Sequence, residues 1–184
     1  MSEIASKGQL RMSFLRWAMV TVPLVLLLGL IAGRLVPAGS ESAWYAALAK
    51  PAGTPPDYAF PIAWTTIYVC SGLALAMILH ARGARGRGAA IALFVVQMIA
   101  NMAWTTVFFG LHQIFGALVL LIVILLLVIA TALAFGRIRS AAAWLLLPYM
   151  VWVSYAAVIQ FQIWQLNPDG GALVPAAPAT QIEL

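Results

Sequence analysis

Charge is what this sequence has least of. Only 8% of its 184 residues are Asp, Glu, Lys or Arg, where a soluble domain carries about a quarter, and that excludes an ordinary water-soluble enzyme. The long apolar runs hold no acid or base near their middles. Ion pumps, proton-coupled carriers and voltage sensors work through such intramembrane groups, and carboxylate-pair acid/base catalysis needs two acids together, so these classes lose ground. Cys70 is the single cysteine and lies in an apolar run, which leaves no intrachain disulfide and no cysteine-rich metal site. His80 and His112 fall at the ends of different runs, on opposite sides of a membrane. They cannot share a metal and read as interfacial polar residues, so no metal site is expected.

Apolar residues are what remains. They make up 64% of the chain, mean hydropathy is +1.01, and the chain is long enough for about five to seven crossings and little else. The fold class is all-α, an integral membrane bundle of five helices. The formal charge of +5 is not a nucleic-acid footprint, because the basic residues sit at run ends and not along one face. Residues 1–13 read as a cytoplasmic tail, and the spans as about 14–36, 58–79, 89–109, 114–135 and 141–165. A loop over 37–57 follows the first span, and a flexible Pro-, Gly- and Ala-rich tail covers 167–184. The first span also has the basic approach of a secretory leader, but its core is longer and no A-x-A site follows; it is taken as a membrane helix. Gly29 and Gly33 form a GxxxG pair that suits close helix approach and that chance also produces. Asp57 is placed to cap the second span, Pro148 should bend the fifth, and His112 lies in the short turn that makes spans three and four a hairpin.

Five crossings put the termini on opposite sides. Lys7, Arg11, Arg16, Arg82, Arg85, Arg87, Arg137 and Arg139 fall on the N-terminal side, against Arg34 and Lys50 on the other. The positive-inside rule therefore predicts a cytoplasmic N-terminus, with the first loop and C-terminus on the far side.

The polar groups within the spans are uncharged and aligned. In the third, Gln97, Asn101, Trp104, Thr105 and Phe108 share one helical face; in the second, Trp64, Tyr68 and Ser71 do; in the fifth, Tyr149, Trp152, Ala156 and Gln160 do. Trp17, Trp44, Trp144 and Trp164 lie near span ends and read as belt residues. Trp64, Trp104 and Trp152 lie inside. Two readings stay open for these faces: an aromatic-walled pocket with a few neutral hydrogen-bonding groups, or helix packing with interhelical hydrogen bonds, the latter applying most directly to Gln97.

The punctuation of the chain resembles a known family. Trp44-Tyr45, Leu48, Lys50-Pro51, Pro55-Pro56, Phe60 with Trp64 and Tyr68, A-N-x-x-W-x-x-x-F-F-G over 100–110 and P-Y-x-x-W over 148–152 are similar in order and spacing to the TspO/MBR family of tryptophan-rich sensory and translocator proteins. The resemblance covers about residues 14–166. It implies a five-helix bundle, commonly a homodimer, in a bacterial inner membrane, with a pocket closed by the first loop. It also implies binding of porphyrins and other tetrapyrroles, such as protoporphyrin IX or a haem-related ring, with no tightly bound cofactor. By position, the family's pocket tryptophans fall on Trp64 and Trp152, its ligand-contacting Asn on Asn101, and its loop contacts on Tyr45, Pro55 and Pro56, while Trp104 and Ala156 line the same cavity. Some members are linked to light-dependent porphyrin degradation; in that case Trp64 and Trp152 would be the electron-rich partners, and no catalytic residue is otherwise expected.

The chain departs from the family in four respects. Ala52, Gly53 and Thr54 stand where an aromatic is usual, which predicts a looser lid. Thr106 replaces a common proline, Gln160 replaces an Asn, and Phe161 with Gln165 replace the Tyr and basic residue of the sterol motif, so sterol handling is not expected. The leading expectation is a tetrapyrrole receptor or sensor with Tyr68, Gln97 and Phe108 also at the ligand. A transporter of tetrapyrroles or other amphipaths and a packing-only scaffold are the alternatives.

Overall fold

The structure, a computed structural model, describes residues 7–173. It is all-helical among those residues, with five helices long and apolar enough to cross a membrane. Helix α1 is Lys7–Arg34, so most of what reads as N-terminal tail from position 7 onward is already helical. A 3-10 turn at Gly39–Glu41 and a short helix α2, Ala43–Ala47, give the first loop structure of its own. The second crossing is α3, Ala59–His80. The third is α4, Arg87–Thr105, extended by a wide turn over Thr106–Gly110. The fourth is α5, Ile114–Gly136.

The fifth crossing departs from the single bent helix expected over 141–165. It is two helices, α6 at Ser140–Trp144 and α7 at Leu147–Leu166, with Pro148 at the start of the second. Pro148 has no N–H to return to the Trp144 carbonyl, and its ring crowds the preceding turn. The helix therefore ends at Trp144 and restarts where proline is tolerated. Asp57 also differs from its expected role. Tyr58 holds the N-cap position of α3 and no side chain caps the helix.

Around the bundle, α1 packs chiefly on α3 and also on α4, α4 packs on α5, α5 on α7, and α7 meets α3. The α1/α3 crossing depends on Gly72. A Cβ there would lie 2.7 Å from the Val22 Cα, closer than packed atoms approach, so the two backbones meet only because the side chain is absent. The Thr21 hydroxyl reaches across the same point to the Gly72 carbonyl at 2.8 Å. Gly29 on α1 does the reverse for a ring: a Cβ on it would fall 2.1 Å from Tyr68. The GxxxG pair is thus a seat for one aromatic at Gly29, while Gly33 has nothing within 4 Å of a built Cβ.

Away from the first loop, Arg87 donates from Nε to Ile78 O and from Nη2 to Leu79 O, both at 3.0 Å. Both carbonyls lie in the last turn of α3, where i+4 donors run out, and Ile78 O also accepts from Ala81 N–H at 3.2 Å. A core containing Ile78, Phe94, Phe135 and Leu146 fills this end of the bundle.

The first part of the C-terminal tail is not flexible as its composition suggests. Asn167 accepts from Ala49 N–H and donates to Ala49 O, both at 2.9 Å, and Trp44 Nε1 donates to Gly170 O at 2.8 Å. Glycine is required at 170, because a Cβ would meet Asn167 Cβ at 2.8 Å, an atom that no rotamer change moves. Residues 174–184 of the expected tail, like 1–6 of the N-terminal one, lie outside the described residues.

Candidate functional site

Beneath the first loop lies a cavity of about 460 Å³, within the range of about 300–1,000 Å³ usual for small-molecule sites. Its walls come from α1, the loop, α3, α4 and α7. Helix α5 contributes no lining residue; it supports the site from behind, where Gln160 Nε2 donates to Ile114 O at 3.0 Å.

Aromatic pairs form the walls. Trp64 stacks on Tyr68 with ring centroids 5.4 Å apart, and Tyr149, fully buried behind them, meets Trp64 edge-on at 6.1 Å. On α4 and the turn that extends it, Trp104 stacks on Phe108 at 5.2 Å. Trp152 stands edge-on to Phe60 at 5.7 Å. Such pairs are worth about 0.5–1.5 kcal/mol each beyond burial, so they hold flat ring faces in fixed positions.

The floor is polar and neutral. Asn101 Nδ2 donates to the Tyr68 hydroxyl at 3.2 Å, tying α4 to α3. One turn further from the loop, Ser71 and Gln97 are buried and do not line the cavity, and neither side chain has a hydrogen-bond partner among the described residues. Gln97 shares the Asn101 face but sits about 6 Å deeper, at 1.5 Å of rise per residue, behind the Tyr68–Asn101 pair. Trp104 Nε1 is also buried without a partner, and it belongs to a ring that does line the cavity.

The roof is the loop. Tyr45 packs edge-on against Phe108 and Phe109, at 6.0 and 5.4 Å, with Lys50 Nζ 4.6 Å above its ring. Phe108 and Phe109 are neighbours in sequence yet both reach the wall, because the turn at Thr106–Gly110 is wide: Leu111 N–H bonds back five residues to Thr106 O at 2.9 Å. A wider turn reduces the rotation between successive side chains, and such turns recur at functional sites. Trp44, expected as a belt residue, is buried in the roof, stacked on His112 at 4.4 Å and edge-on to Phe108 at 5.2 Å.

Ala52-Gly53-Thr54, where the missing aromatic predicts a looser lid, sits in a loop with fastenings of its own. The Tyr155 hydroxyl of α7 donates to the Gly53 carbonyl, and with Asn167 on Ala49 and Trp44 on Gly170 the loop is held at three points. Without an aromatic in the way, Ile159 comes within ordinary contact of Gly53, 3.4 Å from where its Cβ would be.

Of the residues expected at the site, Tyr45, Pro55, Trp64, Tyr68, Asn101, Trp104, Phe108, Trp152 and Ala156 line one cavity. Pro56 and Gln97 do not; Pro56 instead gives its carbonyl to Ala59 N–H at 2.9 Å, opening α3. Sequence reasoning missed Phe60, Phe109 and Tyr155, and above all α1, which supplies Leu26, Gly29, Leu30, Gly33 and Arg34. The GxxxG spacing was the one signal on α1. Asp57 and Glu41 lie at the mouth.

Comparison with known proteins bears on this arrangement. The model of the TspO/MBR family matches residues 20–165. The chain is 36% identical over 137 residues to "Protein CrtK" of Rhodobacter capsulatus, covering 70% of this chain and 81% of that one. It is 36% identical over 126 residues to "Tryptophan-rich protein TspO" of Chlorobaculum tepidum, covering 68% and 80%. It is 34% identical over 131 residues to "Translocator protein" of Bos taurus, covering 70% and 78%.

Proposed function

The chain belongs to the TspO/MBR family, and on that premise we propose that it is a membrane receptor or sensor for a porphyrin-type tetrapyrrole held in the cavity under the first loop. The observation that carries this reading is that two stacked aromatic pairs, Trp64 with Tyr68 and Trp104 with Phe108, line one cavity together with Trp152. Flat polarisable faces suit a flat polarisable ligand. The described lining residues include no His, Cys or Met, the commoner haem ligands, so this reading rests on stacking of the ring against the aromatic walls.

Transport is the alternative. It requires a second state in which the site opens to the other face of the membrane; in this structure the Tyr68–Asn101 pair closes the floor and the opposite half of the bundle is packed core. The same proposal carries the inner-membrane location, with the loop outside on the strength of the positive-inside bias, and a homodimer on the resemblance alone, to be checked by cross-linking in native membranes.

Titration with protoporphyrin IX in nanodiscs should quench tryptophan fluorescence saturably, and Trp64→Phe with Trp152→Phe should weaken binding. Unchanged affinity in that double variant refutes the site. An enzymatic role is added only if illumination yields a defined product with the wild type and not with the double variant.

A further inference from the structure

We propose that the mouth of the cavity is a subsite for a single carboxylate, anchored by Arg34, which selects tetrapyrroles whose acidic groups are confined to one edge. The inference rests on the tetrapyrrole reading above. Arg34 is the last residue of α1 and the one basic side chain among the described lining residues. It is exposed, and it makes no ion pair or side-chain hydrogen bond within the described residues. Its position at the helix C-terminus suits a cation without using up its donors. Across the same mouth stand Glu41 and Asp57, neither paired with it.

Below this rim the lining is uncharged. A carboxylate carried to the floor would lose its hydration with no counter-charge to meet it, a cost that protein interiors rarely sustain. An acidic ligand must therefore enter with its apolar edge toward Tyr68 and Asn101 and its acidic edge at the mouth. There a planar guanidinium matches one carboxylate in a two-point geometry, a second carboxylate on the same edge stays in water, and the two acids oppose negative charge carried on other edges. A ring with carboxylates on one edge is accepted; a ring bearing them on every edge is rejected at both the rim and the floor.

The test compares protoporphyrin IX, its dimethyl ester and the tetracarboxylate coproporphyrin in nanodiscs of neutral lipid, by fluorescence quenching. Arg34→Gln should weaken the free acid by about three- to tenfold at low salt, the range for an exposed charge-assisted contact, and leave the ester unchanged. The loss should shrink at high salt, as screening requires. Glu41→Gln with Asp57→Asn should tighten coproporphyrin more than protoporphyrin. Equal losses for acid and ester in Arg34→Gln would mean a structural role and overturn the subsite, as would no loss for either. If the wild type binds the ester and the acid does not depend on Arg34, the receptor reading stands and this one falls; if neither porphyrin binds, both fall.

Discussion

Replacing Gly72 with alanine adds one methyl group where α1 and α3 touch, and the structure sets both the sign and the size of the effect. The new Cβ would lie 2.7 Å from Val22 Cα, 3.0 Å from Val22 Cγ2 and 3.1 Å from Thr21 O. Two of these are backbone atoms, so no rotamer change relieves the overlap and the helices must separate. Overpacking of this kind costs about 1–3 kcal/mol. Separation also stretches the Thr21 hydroxyl away from Gly72 O, now at 2.8 Å, for about 0.5–1.5 kcal/mol more. Alanine returns about 1 kcal/mol in helix propensity. The net is a destabilisation of about 0.5–3.5 kcal/mol, or a midpoint lower by roughly 2–4 °C per kcal/mol for a chain of this length. Cys70, the one thiol, sits two residues away on α3 and is half-buried, so a thiol-reactive fluorogenic maleimide reports the transition directly. The control is Gly33→Ala, whose Cβ meets nothing within 4 Å and which should hold or slightly raise the midpoint. An unchanged midpoint and labelling rate in Gly72→Ala would refute the close crossing.

Gly29→Ala should behave differently, since its clash is with the Tyr68 ring, which can rotate. Its stability should fall by no more than about 1–2 kcal/mol through loss of the Asn101 hydrogen bond and ring stacking, while porphyrin affinity falls; full affinity would show that Tyr68 is not part of the floor. Asn167→Ala removes both bonds to Ala49 and should speed amide exchange across 44–57 without altering exchange in α4, a contrast that mass spectrometry reads directly. Tyr155→Phe deletes the donor to Gly53 and should raise the ligand dissociation rate a few-fold, consistent with a net hydrogen bond of about 1 kcal/mol; a slower rate would mean that the loop is not closed by this contact.

The spans were legible because apolar runs of about 20 residues have one structural solution in a bilayer, and the wall residues because Trp64, Tyr68, Asn101, Trp104 and Trp152 recur at helical spacing. What stayed hidden has physical causes. Periodicity gives the face of a residue and not its depth, which is why Gln97 reads like Asn101 and lies below the floor. Helix α1 has aliphatic residues all round, so nothing in its pattern distinguishes Leu30 at the cavity from Leu28 elsewhere. The wide turn at Thr106–Gly110 depends on which carbonyl the Leu111 N–H chooses, a competition that residue types do not reveal. Asn167 and Ala49 pair across 118 positions, beyond any local signal.

That last pairing bears on how the protein is made. The loop over the cavity emerges after the first crossing, but its fastenings at Asn167 and Gly170 leave the ribosome only after all five crossings have been synthesised. A nascent chain therefore carries its aromatic walls before it can fasten the roof over them. The cavity is closed over only once positions 167 and 170 have emerged, and a chain cut short before position 167 would insert its helices and lack both fastenings.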